Sequence, residues 1–330
     1  MNSGTLILTR RDVATLLSIE ECTKAVEHVF RLYGEGKTQA PGVLGVQAPD
    51  GGFHIKAGVL QLNRLYFVAK INANFPQNPK RLRLPTIQGV IVLSDADNGY
   101  PLAIMDSTEI TAQRTAAATA VAAKYLARPE SKTLTICGGG VQGRISLRAL
   151  RVLFPLEQVF VYDADSTRSE KFAEDLSAEL GITIKAVDKL EYATLQSDIC
   201  VTCTPSRQFF LKPDHIAPGT FVAAVGADNE YKQELDPTLL AGSKVVVDLV
   251  EQCATIGELH HALKQKVMTK DQVHAELGEV VAATKPGRTT SEEVIVFDST
   301  GMALQDVVTS ALVYEKAKQQ SAGTITELIG

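Results

Sequence analysis

Apolar positions change period along the chain. Over Ile19–Tyr33 they fall at Cys22, Ala25, Val26, Val29, Phe30 and Tyr33, which is helical spacing. Two Ser/Thr-x-x-acid signals, Thr9 with Asp12 and Ser18 with Glu21, mark helix starts. From Gly42 to Leu93 the pattern shortens. Gly52–Gly58, Leu65–Asn72 and Thr86–Ser94 are β-rich runs separated by Gly, Pro and Asn, as in a sheet with tight turns. Asp97-Asn98-Gly99 predicts a hairpin leading into Tyr100–Met105. Thr108–Ala127, ended by Pro129, predicts an Ala-rich helix that lets a neighbour approach closely. Arg114 is its only charged side chain between Glu109 and Lys124. If that helix is buried the arginine needs a partner, because an unpaired buried charge is strongly unfavourable.

From Thr133 strand and helix alternate. Thr133–Cys137, Gln158–Tyr162, Thr183–Val187, Asp198–Cys203, Phe221–Val225 and Lys244–Asp248 are short runs without clean polar alternation. Such runs mark strands covered on both faces, so the fold class expected is α/β, a doubly wound parallel sheet beside a mixed α+β part. Val294–Asp298 adds a strand, and Ala303–Lys318 resumes as a helix that folds back onto the N-terminal part.

Composition narrows the function classes. The 330 residues are 45% hydrophobic and 22% charged with a net charge of −5, an ordinary globular balance without the basic field of a nucleic-acid partner. No apolar tract is long enough for a membrane helix, and Met1–Arg10 lacks the core and cleavage site of a signal peptide. Five cysteines, sparse and odd in number, fit a reducing, cytoplasmic setting. Cys200-Val201-Thr202-Cys203 lies in a predicted buried strand and reads as apolar thiols. His260, His261 and His274 have no zinc spacing, so no metal is expected.

Gly138-Gly139-Gly140-Val141-Gln142-Gly143 matches G-x-G-x-x-G. A predicted strand precedes it, a helical pattern over Arg144–Leu153 follows, and the next strand ends in Asp163, twenty residues after Gly143. This strand–loop–helix–strand–acid order is that of a dinucleotide site. Gly138 permits the turn, Gly140 lets backbone N–H groups reach a pyrophosphate, and Gly143 lets helix pack on strand. An acid at Asp163 accepts hydrogen bonds from both ribose hydroxyls and repels a 2′-phosphate, which favours NAD(H). Ser166, Thr167 and Arg168 nearby leave NADP(H) open.

The sequence resembles the ornithine cyclodeaminase/μ-crystallin superfamily over nearly its whole length. The resemblance is carried by Lys70 in Val68–Asn72, Thr111–Ala117 around Arg114, the loop Gly138–Gly143, Ala224–Asp228 and Gln233–Asp236. Gly257-Glu258, Gly278-Glu279, Asp298–Gly301 and Leu304–Asp306 complete it. It implies a Rossmann domain over 129–302, set between the two parts of a substrate-binding and dimerisation domain, 1–128 and 303–330, and a homodimer. It also implies Lys70 as substrate lysine and Asp228 as catalytic aspartate, with Arg114 and Thr86 contacting cofactor or substrate. Val141, Gln142, Asp163, Thr204, Val225, Gly226 and Lys232 resemble the cofactor-binding set. Ser299 and Thr300 fall where the family closes over nicotinamide and substrate. One feature departs. The stretch Gln39–Val43 lacks the Arg that many members use for the substrate carboxylate, and Lys56 is a candidate to replace it.

Reduction of an imine needs a hydride donor, a protonated C=N and a grip on the adjacent carboxylate. Lys56, Lys70 and Arg114 are three cations able to converge on one anionic substrate, with His54 beside them. Asp228 follows the strand Phe221–Val225, at the carboxyl edge where open α/β sheets bind ligands, and can exchange a proton with the nitrogen. Each has a plainer reading: surface or strand lysines for Lys56 and Lys70, a packing arginine, a core histidine, a turn aspartate. Three functions follow for a small anionic imino or amino acid. They are NAD(P)H-dependent imine reduction (cyclic, such as pyrroline- or piperideine-carboxylate, or open-chain, such as iminosuccinate), ornithine cyclodeamination with bound NAD, and a non-catalytic nicotinamide-binding role.

Overall fold

In the computed structural model, which describes residues 4–328, the chain divides into two compact units. Met1–Val29, Gly36–Arg114 and Met302–Gly330 form the first, and Phe30–Glu35 with Thr115–Gly301 the second. Residues 1–3 and 329–330, part of the expected substrate domain, lie outside the described residues.

The first unit is built on a seven-stranded sheet. Its strands are β1 (Thr5–Leu8), β2 (Gly42–Ala48), β3 (Gly51–Gln61), β4 (Leu65–Asn74), β5 (Ile87–Asp95), β6 (Pro101–Asp106) and a C-terminal strand, Thr324–Thr326. The order is C-terminal strand–β1–β6–β5–β4–β3–β2, antiparallel except for β1 with β6. The predicted hairpin turn carries Gly99 at φ +78°, a left-handed conformation that glycine adopts without strain. Both expected capping pairs form. Thr9 and Asp12 cap each other reciprocally, and Ser18 does the same with Glu21.

Strand alternation gives this sheet two different faces. The inner face carries Leu60, Tyr66, Val68, Ile91, Leu93 and Met105, all buried, against the C-terminal helix Ala303–Gln320, which crosses β3, β4 and β5. Each such side chain contributes about 1.5–3 kcal/mol when fully buried. The outer face sets Leu44, Ile55, Ile71 and Val90 in register across four strands, next to Val46 and Phe53. Leu44, Val46, Phe53, Ile71 and Val90 are all exposed within this chain.

The second unit holds an eight-stranded parallel sheet in the order β15-β14-β16-β12-β10-β7-β8-β9. These are β7 (Thr133–Cys137), β8 (Gln158–Tyr162), β9 (Thr183–Ala186), β10 (Ile199–Thr202), β12 (Phe221–Ala224), β14 (Lys244–Val247), β15 (Ala275–Glu276) and β16 (Ile295–Asp298). Arg207–Leu211 and Gln233–Leu235, β11 and β13, form a separate parallel pair. From β7 the chain runs outward through β8 and β9, then returns to the other edge of β7 with β10. That reversal makes a doubly wound, Rossmann-type sheet and puts the switch point at the carboxyl ends of β7 and β10. Strands β1, β2, β11, β13, β15 and Thr324–Thr326 have no counterpart among the runs read from the sequence; all but β2 span only two to five residues, which leaves little room for a periodic signature. No helix among the described residues is long and apolar enough to cross a membrane.

Candidate active site

In the second unit, the glycine loop joins β7 to the helix Val141–Leu153 at the switch point. Gly138 adopts φ +114°, and a Cβ on Gly143 would stand 2.2 Å from the Gly138 carbonyl oxygen, so both positions require glycine. A Cβ on Gly140 would meet open space within 4 Å. Gly140 is the N-cap and provides no side-chain cap, and the start of such a 13-residue helix is where backbone N–H groups and the helix dipole favour an anion. Asp163, at the end of β8, accepts hydrogen bonds from the Gly139 N–H at 2.8 Å and the Asp165 N–H at 3.0 Å. The loop and the acid that follows the second strand are thereby tied together. Arg168 pairs with Asp165 at 3.3 Å.

A wholly buried glutamate gathers the neighbouring loops. Glu234 accepts from Thr202 Oγ1 (2.8 Å), the Thr204 N–H (2.6 Å) and the Gly226 N–H (2.9 Å), joining the ends of β10 and β12. Burial pushes its carboxyl up, and these donors offset part of that. Glu258 accepts from the N–H groups of Glu234 and Leu235, bracing the first glutamate from behind. Val225 donates its N–H to Thr202. Asp228 follows and forms an ion pair with Lys232 (Nζ–Oδ1 2.8 Å), with the Asn229 amide donating to the same oxygen at 3.1 Å. Asp248 accepts from Ser299 Oγ and Thr300 Oγ1, each at 3.1 Å, and from the Gly301 N–H. Gly138, Gly140, Asp163, Thr204, Val225, Gly226, Asp228, Ser299 and Thr300 therefore all lie at or just beyond strand carboxyl ends, with Val141, Gln142 and Gly143 opening the helix.

In the first unit, Lys56 on β3 and Lys70 on β4 are cross-strand partners on the inner face, and both are buried. Like charges directly opposite each other are unfavourable without an anion nearby. One is present. Asp306, in the C-terminal helix, lies 2.7 Å from Lys70 Nζ and 3.2 Å from Arg114 Nε, with no exposed side-chain surface. Arg114 Nη1 also donates to Gln305 Oε1 at 3.1 Å. Burial pulls Lys70 down to about 7; Asp306 opposes this, while Arg114 and Lys56 add to it. Burial alone would raise Asp306, but Lys70 and Arg114 hold it below the usual carboxylate range.

His54 sits two residues before Lys56 on the same face, half-buried and opposite Asn72. Thr86 is set apart. Its carbonyl receives the Phe75 N–H, five residues along the chain from Lys70, or roughly 16 Å at strand rise. Sequence reading required a partner for Arg114 but did not find Asp306 or Gln305. The available signal was a Gln-Asp pair between the apolar residues Ala303-Leu304 and Val307-Val308. Glu234, Glu258 and Asp248 stood in the sequence without an assigned role, because only the fold reveals which backbone N–H groups they meet.

Among the described residues no group of three or more His, Cys, Asp or Glu side chains could hold a metal ion, and all five cysteines are free. The model of the ornithine cyclodeaminase/mu-crystallin family matches residues 3–321. The chain belongs to this family. Its fold is shared with an archaeal alanine dehydrogenase dimer with bound NAD, at a TM-score of 0.93 and 38% identity over 98% of this chain and 99% of that one. It is likewise similar to Δ1-pyrroline-2-carboxylate reductase of Thermococcus litoralis in complex with NADH and L-proline (TM-score 0.92, 36% identity, 97% and 99% covered). A third likeness is to iminosuccinate reductase of Paracoccus denitrificans in complex with NAD+ (TM-score 0.90, 33% identity, 98% and 100% covered).

Proposed function

We propose that this family member is an NAD(H)-dependent oxidoreductase that reduces a small α-imino acid to the amino acid. The observation that carries the reading is the buried group of Lys56, Lys70 and Arg114, since a Rossmann unit alone specifies only a dinucleotide. In this reading the unit containing Lys70 binds the substrate and the Rossmann unit binds the cofactor.

The residues present fit NAD(H). The uncapped N-terminus at Gly140, open space above it, and an acid at Asp163 suit pyrophosphate and an unphosphorylated ribose. Gly138–Gly143 and Asp163 would hold the dinucleotide, with Thr204, Val225, Gly226 and Ser299 at the strand ends. When bound, the nicotinamide supplies the hydride. Arg114 and Lys70 bind the substrate carboxylate, the arginine through paired N–H donors and the lysine as a point charge. Lys56 supplies the positive charge missing from the stretch Gln39–Val43. Asp228 exchanges the proton with the substrate nitrogen, and Lys232 pairs with its carboxylate.

NADH oxidation with a panel of pyrroline-2-carboxylate, piperideine-2-carboxylate, iminosuccinate and pyruvate plus ammonia tests the reading. Absorbance loss with at least one supports it. NADH binding with no imine consumed would point to a non-catalytic role. Ammonia release from ornithine without net cofactor turnover would point to a cyclodeaminase. Replacing Asp163 with serine is expected to lower NADH affinity about tenfold and bring NADPH close to it, read by fluorescence titration. An unchanged preference would contradict the role of Asp163.

The proposed assembly is a homodimer joined through the outer sheet face. Exposed Leu44, Val46, Phe53, Ile71 and Val90 form an apolar array, and such arrays mark protein interfaces. The similar alanine dehydrogenase is a dimer. Ile71→Asp is expected to shift the mass measured by light scattering from two chains to one. A dimer persisting in that variant would place the interface elsewhere.

A further inference from the structure

We propose that Asp306 is a positioning residue. Its buried carboxylate, shared by Lys70 Nζ at 2.7 Å and Arg114 Nε at 3.2 Å, fixes where the two cations that grip the substrate carboxylate stand. The inference rests on the substrate-binding role proposed for Lys70 and Arg114.

The placement follows from three elements. Lys70 comes from β4, Arg114 from the Ala-rich helix Ser107–Leu126, and Asp306 from the C-terminal helix. Lysine is long and flexible, so its ammonium group is placed only as well as its partner is. Asp306 lies in the first turn of a helix whose residues 303–311 are all buried, so the carboxylate is anchored on a rigid element. Gln305, the preceding residue, takes the Nη1 edge of Arg114 at 3.1 Å. Two consecutive side chains therefore place the guanidinium, Asp306 as an ion pair against Nε and Gln305 through a hydrogen bond from Nη1.

Charge arithmetic argues against a purely structural role. One carboxylate among the three buried cations Lys56, Lys70 and Arg114 leaves positive charge in excess in the interior, and apolar residues of similar volume would be as stable or more so. An imino or amino acid carboxylate supplies the missing negative charge. The charged and titratable groups around Lys70 are Asp306 from the C-terminal helix, Arg114 from the Ala-rich helix and Lys56 from β3. Cys22, on the helix Ile19–Gly34, faces Arg114 and Asp306, but burial pushes its thiol up to about 12 and it stays neutral. Asp306 is thus the anion that favours a protonated Lys70.

Asp306→Asn keeps the shape and removes the charge. The expected result is a KM for the imino acid raised about 10–100-fold, a smaller change in kcat, and an NADH dissociation constant within about twofold of wild type. The pH at which kcat/KM begins to fall on the alkaline side moves downward, because Lys70 loses its proton earlier. The ¹⁵N signal of Lys70 Nζ should titrate at lower pH in the variant than in the wild-type chain. An unchanged KM with an unchanged Lys70 titration in a folded variant would overturn the proposal. If the asparagine variant does not fold, the ¹³C carboxyl signal of Asp306 in the wild-type chain decides. It should remain that of an ionised carboxylate at every pH at which the chain stays folded and Lys70 is charged, and proton uptake there would overturn the proposal. A wild-type chain that reduces no imino acid would defeat the functional reading, while the Lys70 and Asp306 titrations would still test the ionic coupling.

Discussion

Asp228→Asn is expected to lower kcat by about two to four orders of magnitude while NADH binding stays within a few-fold of wild type. The amide keeps the size of the carboxylate and can still hydrogen-bond to Asn229, so the loop geometry survives. What it loses is the group that exchanges a proton with the substrate nitrogen and the charge that pairs with Lys232 at 2.8 Å. Single-turnover kinetics separate the two, because a defect in proton transfer slows the chemical step and leaves cofactor affinity alone. A kcat within twofold of wild type would remove Asp228 from the chemistry.

Lys70→Met is expected to lower kcat/KM by about 10–200-fold, through loss of one charge-assisted hydrogen bond to the substrate carboxylate. It should also change the pH profile. Lys70 is held near 7, below the ordinary lysine value, chiefly by burial. The protonated form grips the carboxylate, so kcat/KM for wild type is full below about 7 and declines as pH rises through it. Methionine has no proton to lose, and that decline should vanish. A profile in Lys70→Met with the same decline would assign it to another group.

Both expectations draw on residues visible in the sequence, and the reason is local chemistry. The loop Gly138–Gly143 and Asp163 stand at fixed offsets from a strand and a helix, so the reading needs only neighbours in the chain. Lys70 stood out as a charge among the apolar residues of β4. Arg114 revealed its need for a partner by being alone in an alanine helix, but not who the partner was. Asp306 lies 192 residues further along, and its pairing exists only because the C-terminal helix returns across β3 and β4. The sequence predicts that Ala303–Lys318 folds back onto the N-terminal part, but nothing in the local pattern says that Asp306 meets Arg114 there. The same holds for Glu234, which joins the loops at Thr204 and Gly226 across two strands. Leu65–Asn72 was legible as a β-rich run, yet its outward apolar residues had no visible reason until the register of Leu44, Ile55, Ile71 and Val90 placed them in one row.

Transfer of the label from deuterated nicotinamide is the most direct test of the central claim. With NADH carrying deuterium at the transferable C4 position and an imino acid that the chain consumes, mass spectrometry and proton NMR locate the label in the amino acid formed. One deuterium on the α-carbon is the outcome expected of a reductase that delivers hydride to C=N. An amino acid formed without label at that carbon would contradict it.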